Sequence, residues 1–210
     1  NLPGFGAAVE MPDHITDGTD PDFPGEGTVE SPYLIGTAEK LANLAKLVND
    51  PGTNKKYGGE NVYYTLTDHL DLSNYNAANT SFNGGKGWKP IGTAENPFKG
   101  RFDGNGKVIT ELYINDSSLY YVGLFGRVNG GMVENLGLTN VSIQGDFNTG
   151  GLAGVAVKAD ISNCYVTGSV SGGSWVGGLV GSVAEGTVKN SYATSWVSGR
   201  EGIGGWFLLM

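Results

Sequence analysis

The sequence predicts an all-β protein, a parallel β-helix, and two observations predict it. Glycine supplies 36 of 210 residues without a three-residue collagen period, in a chain that is still 39% hydrophobic. That composition belongs to many tight turns between short strands rather than to disorder. A repeat then sets the period. Tyr121-Val-Gly-Leu-Phe-Gly126 returns as Thr149-Gly-Gly-Leu-Ala-Gly154 and as Val176-Gly-Gly-Leu-Val-Gly181, with closing glycines 28 and 27 residues apart. Val133-Glu-Asn135, Ile161-Ser-Asn163 and Val188-Lys-Asn190 keep the same step. A unit of this length with short strands and no helix buries its apolar side chains by coiling into a rung, and rungs stack at about 4.8 Å.

Stacking places equivalent residues above one another. Leu124, Leu152 and Leu179 are expected to form one interior column, and Val133, Ile161 and Val188 another. Gly123, Gly151 and Gly178, with Gly126, Gly154 and Gly181, are read as corner or close-packing positions, where a Cβ is resisted. Asn135, Asn163 and Asn190 form a row at a turn. Side-chain amides stacked in this way can hydrogen-bond along the coil axis, so the row is read as a structural ladder rather than a ligand site.

The N-terminal half is organised differently. Residues 1–30 read as an acidic linker, with Pro3, Pro12, Pro21 and Pro24 among Gly and Asp and no apolar period. Residues 31–97 read as an N-terminal cap. Within it Leu41, Leu44, Ala45 and Val48 mark an amphipathic helix over 37–49, with Thr37 as N-cap and Pro51-Gly52 as a stop. Such a helix is one way to cover the edge of a β-helix. Tyr64, Leu66, Leu70 and Leu72 read as short strands, and residues 98–210 as the repeat region.

Charge narrows the range of partners. The net charge is −8, and residues 1–30 hold seven carboxylates with no Lys or Arg. No basic stripe is present, which argues against nucleic acid or an anionic membrane as partner. No apolar run reaches the roughly 18 residues of a membrane span. The single cysteine, Cys164, excludes an intramolecular disulfide. Asn1 in place of Met leads us to expect a processed or trimmed form.

Candidate chemistry is sparse. The acids Glu134, Asp160 and Glu185 sit at different offsets from the preceding rung glycine, so the spacing pairs none of them as glycoside hydrolysis requires. Asp17-Gly-Thr-Asp20-Pro-Asp22 has the acidity of a calcium loop without its spacing. Asp68, His69 and Asp71 read as turn residues, as does Asp103-Gly-Asn-Gly106. Cys164 reads as a buried, inert thiol. The expectation is a protein without enzymatic activity, cofactor or metal.

The repeats resemble the GLUG-motif proteins, through Gly151-Leu-Ala-Gly154 and Gly178-Leu-Val-Gly181. The similarity extends upstream to Gly87-Trp-Lys-Pro-Ile-Gly92, Phe98–Gly106 and Tyr64–Ser73. It implies a right-handed β-helix and an extracellular or bacterial cell-surface location, since such repeats occur in adhesin-like proteins and as accessory regions of immunoglobulin A peptidases. With the sparse chemistry above, the function expected is a non-catalytic adhesin-like module that binds a host glycan or surface protein, or acts as a rigid spacer. The alternative is a polysaccharide-degrading β-helix enzyme or an accessory domain of a surface peptidase. The ending Gly204-Gly-Trp-Phe-Leu-Leu-Met210 departs from the repeat and reads equally as a native cap or as an interrupted array.

Counting six residues back from the rung glycines selects Tyr120, Asn148 and Trp175 as a candidate ligand-binding column. Two placements are open for the aromatics: facing outward, where their rings suit the apolar faces of sugars and Asn148 the hydroxyls, or filling the coil interior or covering a loop, the more usual fate of large aromatics.

Overall fold

A computed structural model of the protein describes Asp20 and residues 22–204; the acidic stretch before Asp20 and the apolar ending lie outside the described residues. The fold is a parallel β-helix whose coils are aligned by register along four sheets. One sheet stacks Tyr33–Ile35, Tyr63–Leu66, Arg101–Asp103, Met132–Glu134, Asp160–Ser162 and Thr187–Lys189. A second stacks Leu70–Asp71, Val108–Thr110, Gly137–Gln144, Tyr165–Ser171 and Tyr192–Ser198, with Tyr113–Asn115 also against Gly137–Gln144. The third holds Phe125–Asn129, Ala153–Val157 and Val180–Ala184, and the fourth Phe147–Gly150, Ser174–Gly177 and Glu201–Gly204. Every pairing of these strands is parallel. Stacking therefore begins at Tyr33, well before residue 98.

The expected columns form. Leu124, Leu152 and Leu179 are buried one residue before the paired set Phe125, Ala153 and Val180. Val133, Ile161 and Val188 are in direct register. Burying such aliphatic ladders is the main stabilising contribution, at about 25 cal/mol per Å² of apolar area.

The repeated glycines are close-packing positions rather than left-handed corners. Gly126, Gly154 and Gly181 have no positive φ. A Cβ on Gly181 would meet the carbonyl oxygen of Gly154 at 2.7 Å, and one on Gly154 that of Gly126 at 2.8 Å. Adjacent coils approach too closely here for any side chain. The left-handed corners fall instead to Asn135, Asn163 and Asn190, with φ of 54°, 52° and 50°, angles that asparagine tolerates better than most residues.

Helix α1 (Ala38–Asn49) starts on Thr37, whose Oγ1 accepts from the Lys40 N–H at 3.2 Å, and buries Leu41, Leu44, Ala45 and Val48. Asn49 fixes its far end: the side chain accepts from Gly92 N–H at 2.8 Å and donates to the Pro90 carbonyl at 2.9 Å. Ile91 and Phe98 bridge to Phe125 and Val128 from that same stretch. The helix thus lies on the N-terminal side of the third sheet and joins the common core.

One expectation fails. The described part of the acidic linker is not solvated throughout, because Phe23 is fully buried among the rings of Tyr33, Tyr57 and Tyr64, 5.5–6.0 Å away. Asp20 holds the segment down by pairing with Lys56 at 2.6 Å and accepting from the hydroxyls of Tyr33 and Tyr57. A single buried aromatic with a carboxylate clasp anchors a chain whose composition reads as linker.

Candidate functional site: an exposed aromatic face

Tyr120, Asn148 and Trp175 all lie at the fourth sheet, and both aromatics face solvent, Tyr120 at 65% exposure and Trp175 at 53%. They do not form a single column. Val122 bridges Thr149, and Thr149 pairs with Val176, so the residue opposite Asn148 is Tyr121. Tyr120 instead stands over Phe147, their ring centroids 6.1 Å apart. The cause is an extra glycine. Gly150 and Gly151 occupy the place of Gly123 alone, because Gly150 N–H bonds to Val122 O while Leu124 N–H bonds to Gly151 O. Counting back from the closing glycine crosses that insertion and slips by one.

Two aromatic elements result. Tyr120 and the 38%-exposed Phe147 form a pair on one column. The next column turns left-handed in the three coils that follow Tyr121, with φ of 44° at Asn148, 57° at Trp175 and 62° at Gly202. Asn and Gly accept that angle readily. Trp does not, at a cost of about 1–2 kcal/mol. Its ring lies against Gly202, where a Cβ would come within 3.3 Å of the indole, so the glycine leaves the ring room. Phe147 escaped the sequence reading; placing Gly150-Gly151 opposite a single glycine would have brought it beside Tyr120.

Elsewhere, several polar groups that the sequence singles out are engaged within the fold. Asn163 and Asn190 donate along the ladder to Asn135 and Asn163 at 2.9 and 3.3 Å. His69 Nδ1 accepts from Val108 N–H at 2.9 Å, and Asp71 from Ser73 N–H at 2.8 Å. Asp103 accepts from Asn105 N–H at 2.7 Å in a turn where Asn105 and Gly106 have φ of 50° and 68°. Asp160, Glu134 and Glu185 occupy separate columns: Asp160 lies between Met132 and Thr187, Glu134 between Asp103 and Ser162, and Glu185 beside Lys158 at 3.6 Å. Burial pushes the Cys164 thiol up to about 12, which leaves almost no thiolate at neutral pH. Among the described residues no group of three or more His, Cys, Asp or Glu is placed to hold a metal ion. No helix among them is long and apolar enough to cross a membrane.

Comparison with known proteins agrees with the repeat. Residues 145–171 and 172–198 each match the GLUG motif, so the chain carries two consecutive GLUG repeats. A protein of Evansella cellulosilytica provisionally named a Gly-rich membrane protein is 40% identical over 124 residues, 58% of this chain. Halomucin of Haloquadratum walsbyi is 37% identical over 152 residues, 71% of this chain. The chain spans only 13% and 2% of these relatives. A crystal structure from Bacteroides ovatus, provisionally named an immunoglobulin A1 protease, aligns with 89% of this chain and 81% of its own, at 17% identity and a TM-score of 0.40.

Proposed function

We propose that this chain, with two GLUG repeats on a parallel β-helix, is a non-catalytic, adhesin-like module of a surface-associated protein, presenting a rigid aromatic face to an extracellular glycan or protein. One observation carries the reading. Trp175 stays half exposed in a left-handed corner where the coils on either side place Asn148 and Gly202. A large aromatic at that corner loses stability and shields little apolar surface, and exposed aromatics on a rigid scaffold are a common means of recognition. Tyr120 and Phe147 widen the same face by a second column.

The names of the two relatives, a membrane protein and halomucin, support a place at the cell surface. Among the described residues, the one pair of carboxylates in direct strand register, Asp103 beside Glu134, has Asp103 accepting from the Asn105 N–H and the Asn135 side chain as the foot of the asparagine ladder, which supports a structural role for that pair and a binding role for the module. The purified protein on an array of glycans and extracellular proteins tests the reading, with Tyr120→Ala/Trp175→Ala as the control. Binding that the double variant loses at unchanged melting temperature is expected. Equal binding by both proteins removes the aromatic face from the function, and no binding by either leaves a rigid spacer.

A further inference from the structure

The aromatic face ends in a cleft that the repeats do not make. It has a volume of about 510 Å³ and lies between residues 89–95, the 116–121 loop and the end of α1. Tyr120 and Tyr121 form one wall, with Lys89, Thr93, Glu95 and Asp116 around them. That volume is within the range of about 300–1,000 Å³ found for small-ligand sites.

From this geometry we infer that the cleft is a subsite for a neutral saccharide, one sugar unit lying against Tyr120 and its hydroxyls facing the polar rim. The inference deepens the proposed function and rests on its reading that the aromatic face binds. Three features carry it. The exposed Tyr120 ring offers a flat apolar surface, continued outward by Phe147 at 6.1 Å, so a chain leaving the cleft meets a second ring. The rim carries both donors and acceptors, as polyhydroxyl ligands require: the Lys89 ammonium donates, the Glu95 carboxylate accepts, and the Thr93 hydroxyl does either.

Charge sets the class. Asp116 is held by Lys86 at 3.0 Å and by the Ser118 backbone N–H at 3.0 Å. Although burial opposes its ionisation, the Ser118 and Lys86 contacts keep its carboxyl below the usual range, so it stays a fixed acceptor. Asp116 is paired with Lys86, and Lys89 and Glu95 put one charge of each sign on the rim, so the cleft has no net charge to attract a sialylated or uronic-acid chain or a polyamine.

Calorimetric titration of the protein with neutral oligosaccharides of glucose, galactose, mannose and xylose, and with sialylated and uronic-acid chains, is the test. Tyr120→Ala is expected to weaken neutral binding by about tenfold or more. Lys89→Ala/Glu95→Ala, at two exposed rim positions, is expected to weaken it several-fold with melting unchanged. Trp175→Ala, outside the cleft, should leave the affinity of short oligosaccharides as it was. Neutral binding lost in Trp175→Ala but kept in Lys89→Ala/Glu95→Ala overturns the cleft while leaving the aromatic face standing. Selective binding of the anionic chains overturns the neutral class, and no binding by any oligosaccharide overturns the saccharide subsite altogether.

Discussion

Asn163 donates its side-chain N–H to Oδ1 of Asn135 at 2.9 Å, and this bond belongs to a ladder that begins on a carboxylate. Asn135 donates to Asp103 Oδ1 at 3.0 Å, and Asn190 to Asn163 at 3.3 Å. All the donors point toward the N-terminus, and Asp103, which accepts only, is a chemically suitable first member. Each asparagine therefore does two things, holding a left-handed corner and linking coils.

Replacing Asn163 separates the two roles. Asn163→Ala loses both ladder bonds and strains the corner at φ 52°, for a loss of about 2 kcal/mol. Asn163→Gly loses the bonds but fits the corner, for about 1 kcal/mol. Urea denaturation checks the order. Equal midpoints for the two variants would mean that the corner angle carries nothing, and a glycine variant as stable as the parent would mean that the amides carry nothing.

The glycine column is a harsher test of packing. Gly154→Ala would set a Cβ 2.5 Å from Val122 N and 2.6 Å from Asn148 O, which forces two coils apart, and the expected loss exceeds about 3 kcal/mol. Gly130→Ala, at φ 76° with nothing within 4 Å, meets only backbone strain and is expected to lose about 1–2 kcal/mol. Thermal unfolding of the pair decides between contact and conformation. Similar losses would argue that coil spacing does not constrain Gly154.

What the sequence disclosed follows from the same geometry. Columns such as Val133, Ile161 and Val188 were legible because each coil contributes one residue of the same character at a nearly fixed step. The binding face was legible only to within one residue. Single insertions are invisible to counting: Gly150-Gly151 stands against Gly123, and Asn140, at φ 54°, is the extra residue where the register of Gly137–Gln144 shifts against Tyr165–Ser171. Phe23 was hidden for another reason, since one buried ring among Pro, Gly and Asp makes no period to read.

The Asp20 clasp predicts how the N-terminal segment responds to pH. Burial opposes ionisation of Asp20, but the Lys56 hydrogen bond and charge, with bonds from Asp22 N–H and Tyr33, outweigh it and lower its pKa from 3.8. A carboxyl lowered on folding contributes stability above its ordinary pKa and loses it as pH falls through the lowered value. Tyr57 has the opposite sign: burial first, then the nearby carboxylates, raise it to about 12, so its contribution is complete below 10.0 and is lost as pH rises toward 12. Amide protection across residues 22–35, taken relative to the intrinsic exchange rate at each pH, should fall below about pH 4 and again above pH 10, and Lys56→Met should move the acid limb to higher pH. A flat profile across both limbs would exclude the clasp.

Cys164 should be chemically silent while the protein is folded. Its Sγ faces the Ser162 and Val133 carbonyl oxygens at 3.2 and 3.8 Å, it is 1% exposed, and burial raises its pKa to about 12. Reaction with an aromatic disulfide reagent at pH 8 is expected to proceed only as fast as the protein opens, and to become immediate in denaturant. Rapid modification of the native protein would contradict the buried position.

The column Val128, Ala156, Val183 predicts where tolerance to change lies along the coil axis. Val128 and Ala156 are in register and fully buried, while Val183, in the same column one coil later, is 40% exposed. The difference is the covering coil. Among the described residues nothing stacks on the Val183 side, and a trough of about 300 Å³ opens there beside Val176, Leu179 and Val188. A lysine at Val128 must bury its ammonium between two coils with no carboxylate in the column, for an expected loss above about 4 kcal/mol. At Val183 the same lysine can lay its methylenes along the trough and keep its charge in water, so the loss should stay within about 1 kcal/mol. Guanidinium unfolding of the two variants measures the gap, and equal destabilisation would mean that the Val183 coil is covered as fully as the Val128 coil.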